Sequence, residues 1–273
     1  MKNVNKKSVI IRYKLDTSNK ICKVLIYKEK QNFEYFFKGA NIEKLSLLLY
    51  NKKESFYKEG DNMFPKKIEE MVEGMQYTVD NLGRSEDEVY VFEDKYILKI
   101  SKNKNRLIDE KESIDFLCKY NIPCSNSICY LEENDKCYYL RTYIKGYSLI
   151  HTKFMENPEL LINILVNVIG ILRKLDNYNC PFKSKDNVGN DFVHGDLCLP
   201  NIYVDENNNF AGFIDLDNSG LGDKWYDYSW LLWSLEYNLK TNKYNKRLLD
   251  KLNIDYNQEK YEKYISEEYR RKG

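Results

Sequence analysis

Phe192-Val193-His194-Gly195-Asp196-Leu197-Cys198-Leu199-Pro200-Asn201-Ile202-Tyr203-Val204 is followed, after the polar run 205–209, by Phe210-Ala211-Gly212-Phe213-Ile214-Asp215. The apolar runs 202–204 and 210–214 flank Asp205-Glu206-Asn207-Asn208-Asn209, residues that tolerate left-handed backbone, so the pattern predicts a hairpin with a five-residue connection. A hairpin brings the residue before its first strand beside the residue after its second, which places Asn201 near Asp215. Gly195 and Pro200 bracket Asp196 and keep that segment out of a regular helix, so Asp196 is predicted on a loop, five residues before Asn201.

A neutral and an anionic oxygen converging beside a loop carboxylate suit phosphoryl transfer to a hydroxyl. Asn201 and Asp215 are the candidate ligands for one or two Mg²⁺ ions that keep several waters and bridge nucleotide phosphates. Asp196 is the candidate base that orients an acceptor hydroxyl and takes its proton. Such transfer is mostly positioning and charge neutralisation, so a modest base suffices. His194 is expected to tie the loop down.

Upstream residues complete the pattern. Lys99 lies in the apolar run Tyr96-Ile97-Leu98-Lys99-Ile100, where a lysine must reach solvent or find an anion. Nucleotide phosphates and a helix carboxylate would both serve. Asp109-Glu110-Lys111-Glu112 reads as the opening of a helix carrying Ile114, Phe116 and Leu117, which makes Glu110 the candidate partner. Between the runs Gln76 to Asp80 and Glu88 to Phe92, the tip 81–86 contains Gly83 and Ser85 and can lay backbone N–H groups over phosphates. Cys129 to Leu131 and Cys137 to Ile144 form a second hairpin. Its exit towards Lys145-Gly146 makes Thr142 and Ile144 candidates for bonding an adenine edge.

Other segments carry fold rather than chemistry. Alternation and aromatic content predict short strands at Val9 to Tyr13, Cys22 to Tyr27 and Phe33 to Phe37, then a helix near Asn41 to Tyr50 and a charged linker at 51–61. Pro65 to Met75 reads as a helix with proline in its first turn, and Pro158 to Leu175 as the apolar core helix of a second lobe. The predicted division is an accessory extension over 1–60, a nucleotide-binding lobe over 61–145, and a catalytic and acceptor-binding lobe over 146–273.

With 43 basic and 42 acidic residues, the chain has no global field to recruit nucleic acid or a membrane. Its longest apolar run, 160–172, is too short to span a bilayer and is broken by Asn163 and Asn167. No leader pattern precedes it, and the seven cysteines include no Cys-x-x-Cys pair, so a cytoplasmic protein with reduced thiols is expected. Two histidines leave little for a His-based metal site.

The segment resembles the aminoglycoside phosphotransferase family, especially its 3'-phosphotransferases, through His194-Gly195-Asp196-Leu197-Cys198-Leu199-Pro200-Asn201-Ile202, Gly212-Phe213-Ile214-Asp215 and Asp223-Lys224-Trp225-Tyr226-Asp227. The resemblance runs from about Pro65 to the last helix. It implies an α+β, two-lobed protein-kinase-like fold, with an antiparallel-sheet N-lobe, a mainly helical C-lobe and, here, a small N-terminal α/β extension. It also implies ATP or GTP with Mg²⁺ as cofactors. Asp196 would be the base, Asn201 and Asp215 the metal ligands, Lys99 and Glu110 the phosphate-binding pair, Ser85 part of the nucleotide loop, and Asp227 a structural acid.

Asp217, Glu236 and Glu268 are the acceptor-binding candidates. Family members place extra helices before the catalytic loop, whereas only 176–193 intervenes here. Tyr237-Asn238 replaces an acidic pair, and the tail ends in Arg270-Arg271-Lys272. The resemblance therefore implies phosphorylation of a small-molecule hydroxyl, with an aminoglycoside as first choice. A sugar or choline-like alcohol is the alternative acceptor, and a nucleotide-binding regulatory module the alternative class. Residues 1–60 are left for a protein partner or self-association.

Overall fold

Period-two alternation near the N-terminus is realised as β1 (Ile10–Asp16), β2 (Ile21–Lys28) and β3 (Gln31–Lys38). β2 pairs antiparallel with both neighbours, from Ile10↔Tyr27 on one side to Lys28↔Gln31 on the other. Ser55–Lys58 falls within the predicted linker but is a strand, β4, parallel to β1 from Ile10↔Ser55. Its adjacent Phe56 and Tyr57 favour a pleated surface and outweigh the flanking charge. The sheet order is β3-β2-β1-β4.

The computed structural model describes residues 10–16, 21–28, 31–38, 55–58, 63–80, 87–176, 178–184 and 189–271, and the helix predicted at 41–50 lies outside them. The chain divides into two compact units, Met1–Val79 and Asp80–Gly273. The first holds α1 (Lys66–Met71), which starts directly after Pro65, and ends within β5 (Tyr77–Asp80).

In the second unit, β6 (Glu88–Phe92), β7 (Tyr96–Ser101), β9 (Lys136–Thr142) and β8 (Ser127–Glu133) are antiparallel neighbours in that spatial order. The β8–β9 turn is tighter than predicted. Glu133 pairs with Lys136, and Asn134 and Asp135 take φ of 51° and 59°, as a two-residue hairpin with right-handed strand twist demands. The register sets Lys99 opposite Tyr139 and Ile97 opposite Arg141. Lys99 and Arg141 therefore lie on one face of the sheet, and Leu98 and Leu140 on the other.

α2 (Lys104–Lys119) begins well before the predicted Asp109, because the Asn103 side chain accepts the Arg106 N–H at 3.3 Å and caps the helix there. Leu107, Glu110, Ile114 and Leu117 recur at helical spacing and are all buried, so Glu110 lies in the middle of the apolar stripe. The remaining helices are α3 (Thr152–Met155), α4 (Pro158–Leu175), α5 (Lys224–Leu239), α6 (Lys243–Leu252) and α7 (Gln258–Arg271). α4 spans the predicted residues, capped by Asn157 and opened by Pro158. It buries Leu161, Leu165, Val168 and Leu172 in the core shared by this unit's helices.

Two small sheets shape the loop over 194–201. β10 (Tyr147–Ser148), β12 (Ile202–Val204) and β13 (Phe210–Phe213) form one, and β11 (Asp191–Val193) pairs with β14 (Gly220–Gly222) in the other. Antiparallel strands followed by helices give the α+β class that the sequence predicts. No helix among the described residues is long and apolar enough to cross a membrane.

Asp223 joins two helices. It caps α5 by accepting the Trp225 N–H at 3.0 Å, and its Oδ2 accepts from Lys260 Nζ at 2.7 Å and Tyr264 Oη at 2.9 Å on α7. Burial pushes its carboxyl up, but these three donors outweigh burial and hold it below the usual carboxylate range. Being ionised more readily folded than unfolded, it contributes stability that is complete above about pH 4 and is lost as pH falls below that. Asp223→Ala should lower stability in urea denaturation at pH 7 by about 1–2 kcal/mol and flatten its acid dependence. An unchanged acid limb would show that the carboxylate does not anchor α7.

Candidate active site

The loop that carries Asp196 is fixed by one carboxylate. Asp227, in the first turn of α5, is fully buried; its Oδ2 accepts the His194 N–H at 2.8 Å and its Oδ1 the Gly195 N–H at 3.0 Å. Burial pushes its carboxyl up, and the two N–H groups oppose that. His194 is also buried, edge-on to Phe213 with centroids 5.1 Å apart, and its Nδ1 accepts the Asp196 N–H at 3.2 Å. Arg173 donates to Phe192 O at 2.7 Å, and the Leu199 N–H donates to Ser234 Oγ at 3.0 Å. Gly195 has φ 83°, and a Cβ there would come within 2.3 Å of Asn218 O, so the turn requires glycine.

On this base, Asp196 and Asn201 face one another. Asn201 Nδ2 donates to Asp196 Oδ2 at 3.1 Å and to Asp196 O at 3.0 Å, and Cys198 Sγ donates to Asp196 Oδ1 at 3.3 Å. A 3₁₀ turn over Leu199–Asn201 leads into β12. The Ile214 N–H donates to Asn201 O at 3.0 Å, so the hairpin brings Asp215 to Asn201's end of the loop. The Asp205 connection closes through its Oδ1, which accepts the N–H groups of Asn207 and Asn209. Asp215 has φ 56°.

Asp215 Oδ1 lies 3.3 Å from Lys99 Nζ, and Lys99 lies 2.9 Å from Glu110 Oε2. Burial pulls Lys99 down, but Glu110 and Asp215 raise it above its ordinary value, so it stays charged. Burial pushes Asp215 up, but Lys99, then Arg141, holds it below the carboxylate range. Arg141 NH2 lies 3.3 Å from Glu110 Oε1, while its NH1 donates to Ser125 Oγ at 3.0 Å. Arg106 joins Asp87, at 3.1 Å, to Asp217, at 2.7 Å.

Asp87, Arg106 and Arg141 are absent from the sequence-based candidates. Arg141 carries the signal that Lys99 does, a cation inside an apolar strand, and was legible on the same ground. Arg106 and Asp87 border polar stretches and read as solvated charges.

The other candidates are placed unevenly. Thr142 N–H donates to Asn126 O, and Tyr143 N–H to Lys95 O, so those two donors are taken; the Ile144 N–H makes no hydrogen bond to the described residues. Asp217 is buried and occupied by Arg106 rather than open to an acceptor. Glu236 is exposed on α5 and accepts from Asn245 Nδ2 at 3.3 Å. Ser85 and the Glu268 side chain lie outside the described residues.

The model of a phosphotransferase enzyme family matches residues 190–260, which hold the loop, the hairpin and α5. A probable aminoglycoside 3'-phosphotransferase of Lactococcus lactis subsp. lactis (strain IL1403) is 29% identical over 199 residues, 58% of this chain and 75% of that protein. The aminoglycoside 3'-phosphotransferase of Enterococcus faecalis is 39% identical over 74 residues, 27% of this chain and 28% of its own. Among solved structures, the aminoglycoside phosphotransferase APH(3'')-Id of Streptomyces rimosus ATCC10970, in complex with ADP and streptomycin, superposes with a TM-score of 0.59. It is 15% identical, and the match covers 82% of this chain and 96% of that one. The aminoglycoside-3'-phosphotransferase of type VIII gives 0.56 at 16% identity, over 70% of this chain and 92% of that one. The motifs agree with those of these relatives, and the chain has the kinase-like fold of the aminoglycoside phosphotransferase structures it superposes on.

Proposed function

We propose that the chain moves the γ-phosphoryl group of ATP or GTP to a hydroxyl of a small molecule, with an aminoglycoside as the acceptor class. The observation that carries this is the placing of Asp196. Asn201 Nδ2 holds its Oδ2 at 3.1 Å, and Asn201 O holds the Ile214 N–H, one residue before the Asp215 that pairs with Lys99.

Lys99, kept charged by Glu110, binds nucleotide phosphate oxygens. Ile144 offers its N–H to the base. Asn201 and Asp215 would hold Mg²⁺: the Asn201 amide spends its donor on Asp196, which leaves its Oδ1 as a ligand, and Lys99 keeps Asp215 anionic. Among the described residues no three His, Cys, Asp or Glu side chains cluster to hold a metal. That suits an ion that keeps waters and takes oxygens from phosphate. When bound, Mg²⁺ neutralises charge on the transferring phosphoryl group.

Asp196 aligns the acceptor hydroxyl and receives its proton as the acceptor O–P bond forms and the bond to the nucleoside diphosphate breaks. Asn201 and Cys198 hold that carboxylate in one orientation. The protein partner or self-association expected of residues 1–60 is a proposal separate from this chemistry.

The acceptor class follows the names of the relatives in Lactococcus lactis and Enterococcus faecalis. One observation favours a less cationic acceptor, such as a sugar-like alcohol: Asp217, an acid expected to meet a polycation, is taken by Arg106. Nucleotide turnover measured against a panel of aminoglycosides and metabolite alcohols separates the two. Turnover with alcohols alone would overturn the antibiotic acceptor.

In that assay Asp196→Ala should cut kcat by at least about 10²-fold while nucleotide affinity changes little. A loss of less than tenfold would remove Asp196 from the role of base. Arg141→Leu leaves buried Glu110 with Lys99 as its one cation, and should raise the nucleotide KM about tenfold. Arg141→Lys should fall between, since an ammonium cannot reach Glu110 and Ser125 together with the same fork. A Leu variant with unchanged KM would show that Arg141 plays no part in setting the phosphate site.

A further inference from the structure

Cys118 and Cys124 stand at the junction of α2 and β8 with their Sγ atoms 3.0 Å apart. α2 ends at Lys119, and Asn121, with φ 55°, folds the chain back. The Asn121 N–H donates to Cys118 O, and the Ile122 N–H to Leu117 O, both at 3.0 Å. This cap returns Cys124 over the end of the helix, where its Sγ faces Ile114 O at 3.8 Å, while Cys118 Sγ faces Ser125 O at 3.3 Å. Both thiols are free and half-buried. The sulfurs need to close by about 1 Å to reach the bonded distance of about 2.05 Å.

The same loop touches the nucleotide-binding residues from two sides. Ser125, next to Cys124, accepts from Arg141, which reaches Glu110. The backbone of Pro123 and Cys124 abuts Gly212 in β13: a Cβ there would meet Ile144 Cδ1 at 2.9 Å and Cys124 Cα at 3.2 Å. Three residues on is Asp215.

We propose that Cys118 and Cys124 form a reversible intramolecular disulfide, and that closing it weakens nucleotide binding by displacing Ser125 and with it Arg141. The second clause rests on the phosphotransferase reading; the bond itself does not. The oxidant is a low-molecular-weight disulfide. Burial, and the neighbouring Cys118, push the Cys124 thiol up, so Cys118 is the first to act. Its thiolate attacks one sulfur of the oxidant and forms a mixed disulfide while the other half leaves as a thiol. Cys124 then gives up its proton and attacks the Cys118 sulfur, releasing the second thiol. Two protein thiols are oxidised, and one disulfide is reduced to two thiols.

The full chain, reduced and then exposed to glutathione disulfide, is examined by peptide mapping and by titration with a fluorescent nucleotide. A Cys118–Cys124 cross-linked peptide is expected, with a rise in nucleotide Kd of at least about fivefold that dithiothreitol reverses. Cys118→Ser should bind nucleotide like the reduced protein and ignore the oxidant. A map holding only glutathione adducts, or none, overturns the bond, and a cross-link with unchanged Kd overturns its coupling to the site. A reduced protein that binds no nucleotide refutes the phosphotransferase reading and the coupling with it, while the peptide map still decides the bond.

Discussion

Glu110 has no accessible surface, and a carboxylate there is tolerable because Lys99 lies 2.9 Å from its Oε2 and Arg141 3.3 Å from its Oε1. The packing of β7, β9 and α2 follows from that arrangement. Lys99 and Arg141 must lie on one sheet face, which fixes the β7–β9 register. α2 must carry Glu110 within its apolar stripe, which fixes the face on which the helix packs. A slip of one residue in β9 would turn Arg141 to the opposite face and leave the acid with one cation.

The loop that carries Asp196 is organised by an acid of a different kind. Asp227 has backbone N–H groups for partners, so it fixes the course of that loop. One buried carboxylate thus sets the charge around Lys99, and the other sets the course of the loop that carries Asp196. Between them Asp215 and Asn201 tie the hairpin to both, through Lys99 on one side and Asp196 on the other.

Much of this was legible in the sequence because the deciding features are local. The hairpin after Asn201 follows from its run lengths and its Asn-rich connection, and α4 from proline at its start and unbroken apolar spacing. Lys99 stands out as a charge in an apolar strand, and Arg141 would have by the same test. The start of α2 was misplaced because Asn103 acts through a side-chain bond that looks like any polar residue in a charged stretch. The tie between Arg106 and Asp217 spans 111 residues, and no spacing rule reaches so far. Ser55–Lys58 became a strand through pairing with β1, a tertiary effect that overrode its charged surroundings.

Asp215 holds φ at 56°, a backbone conformation that among side-chain-bearing residues Asn and Asp adopt most readily. Position 215 therefore answers to two demands at once: an anionic oxygen for Lys99 and a left-handed turn for the chain. Glutamate would keep the charge and strain the turn; asparagine would keep the turn and surrender the charge. Glycine would ease the backbone and supply no partner for Lys99. Aspartate alone meets both demands, so substitution there cannot trade the turn against the charge by degrees, and the position is closed to gradual change.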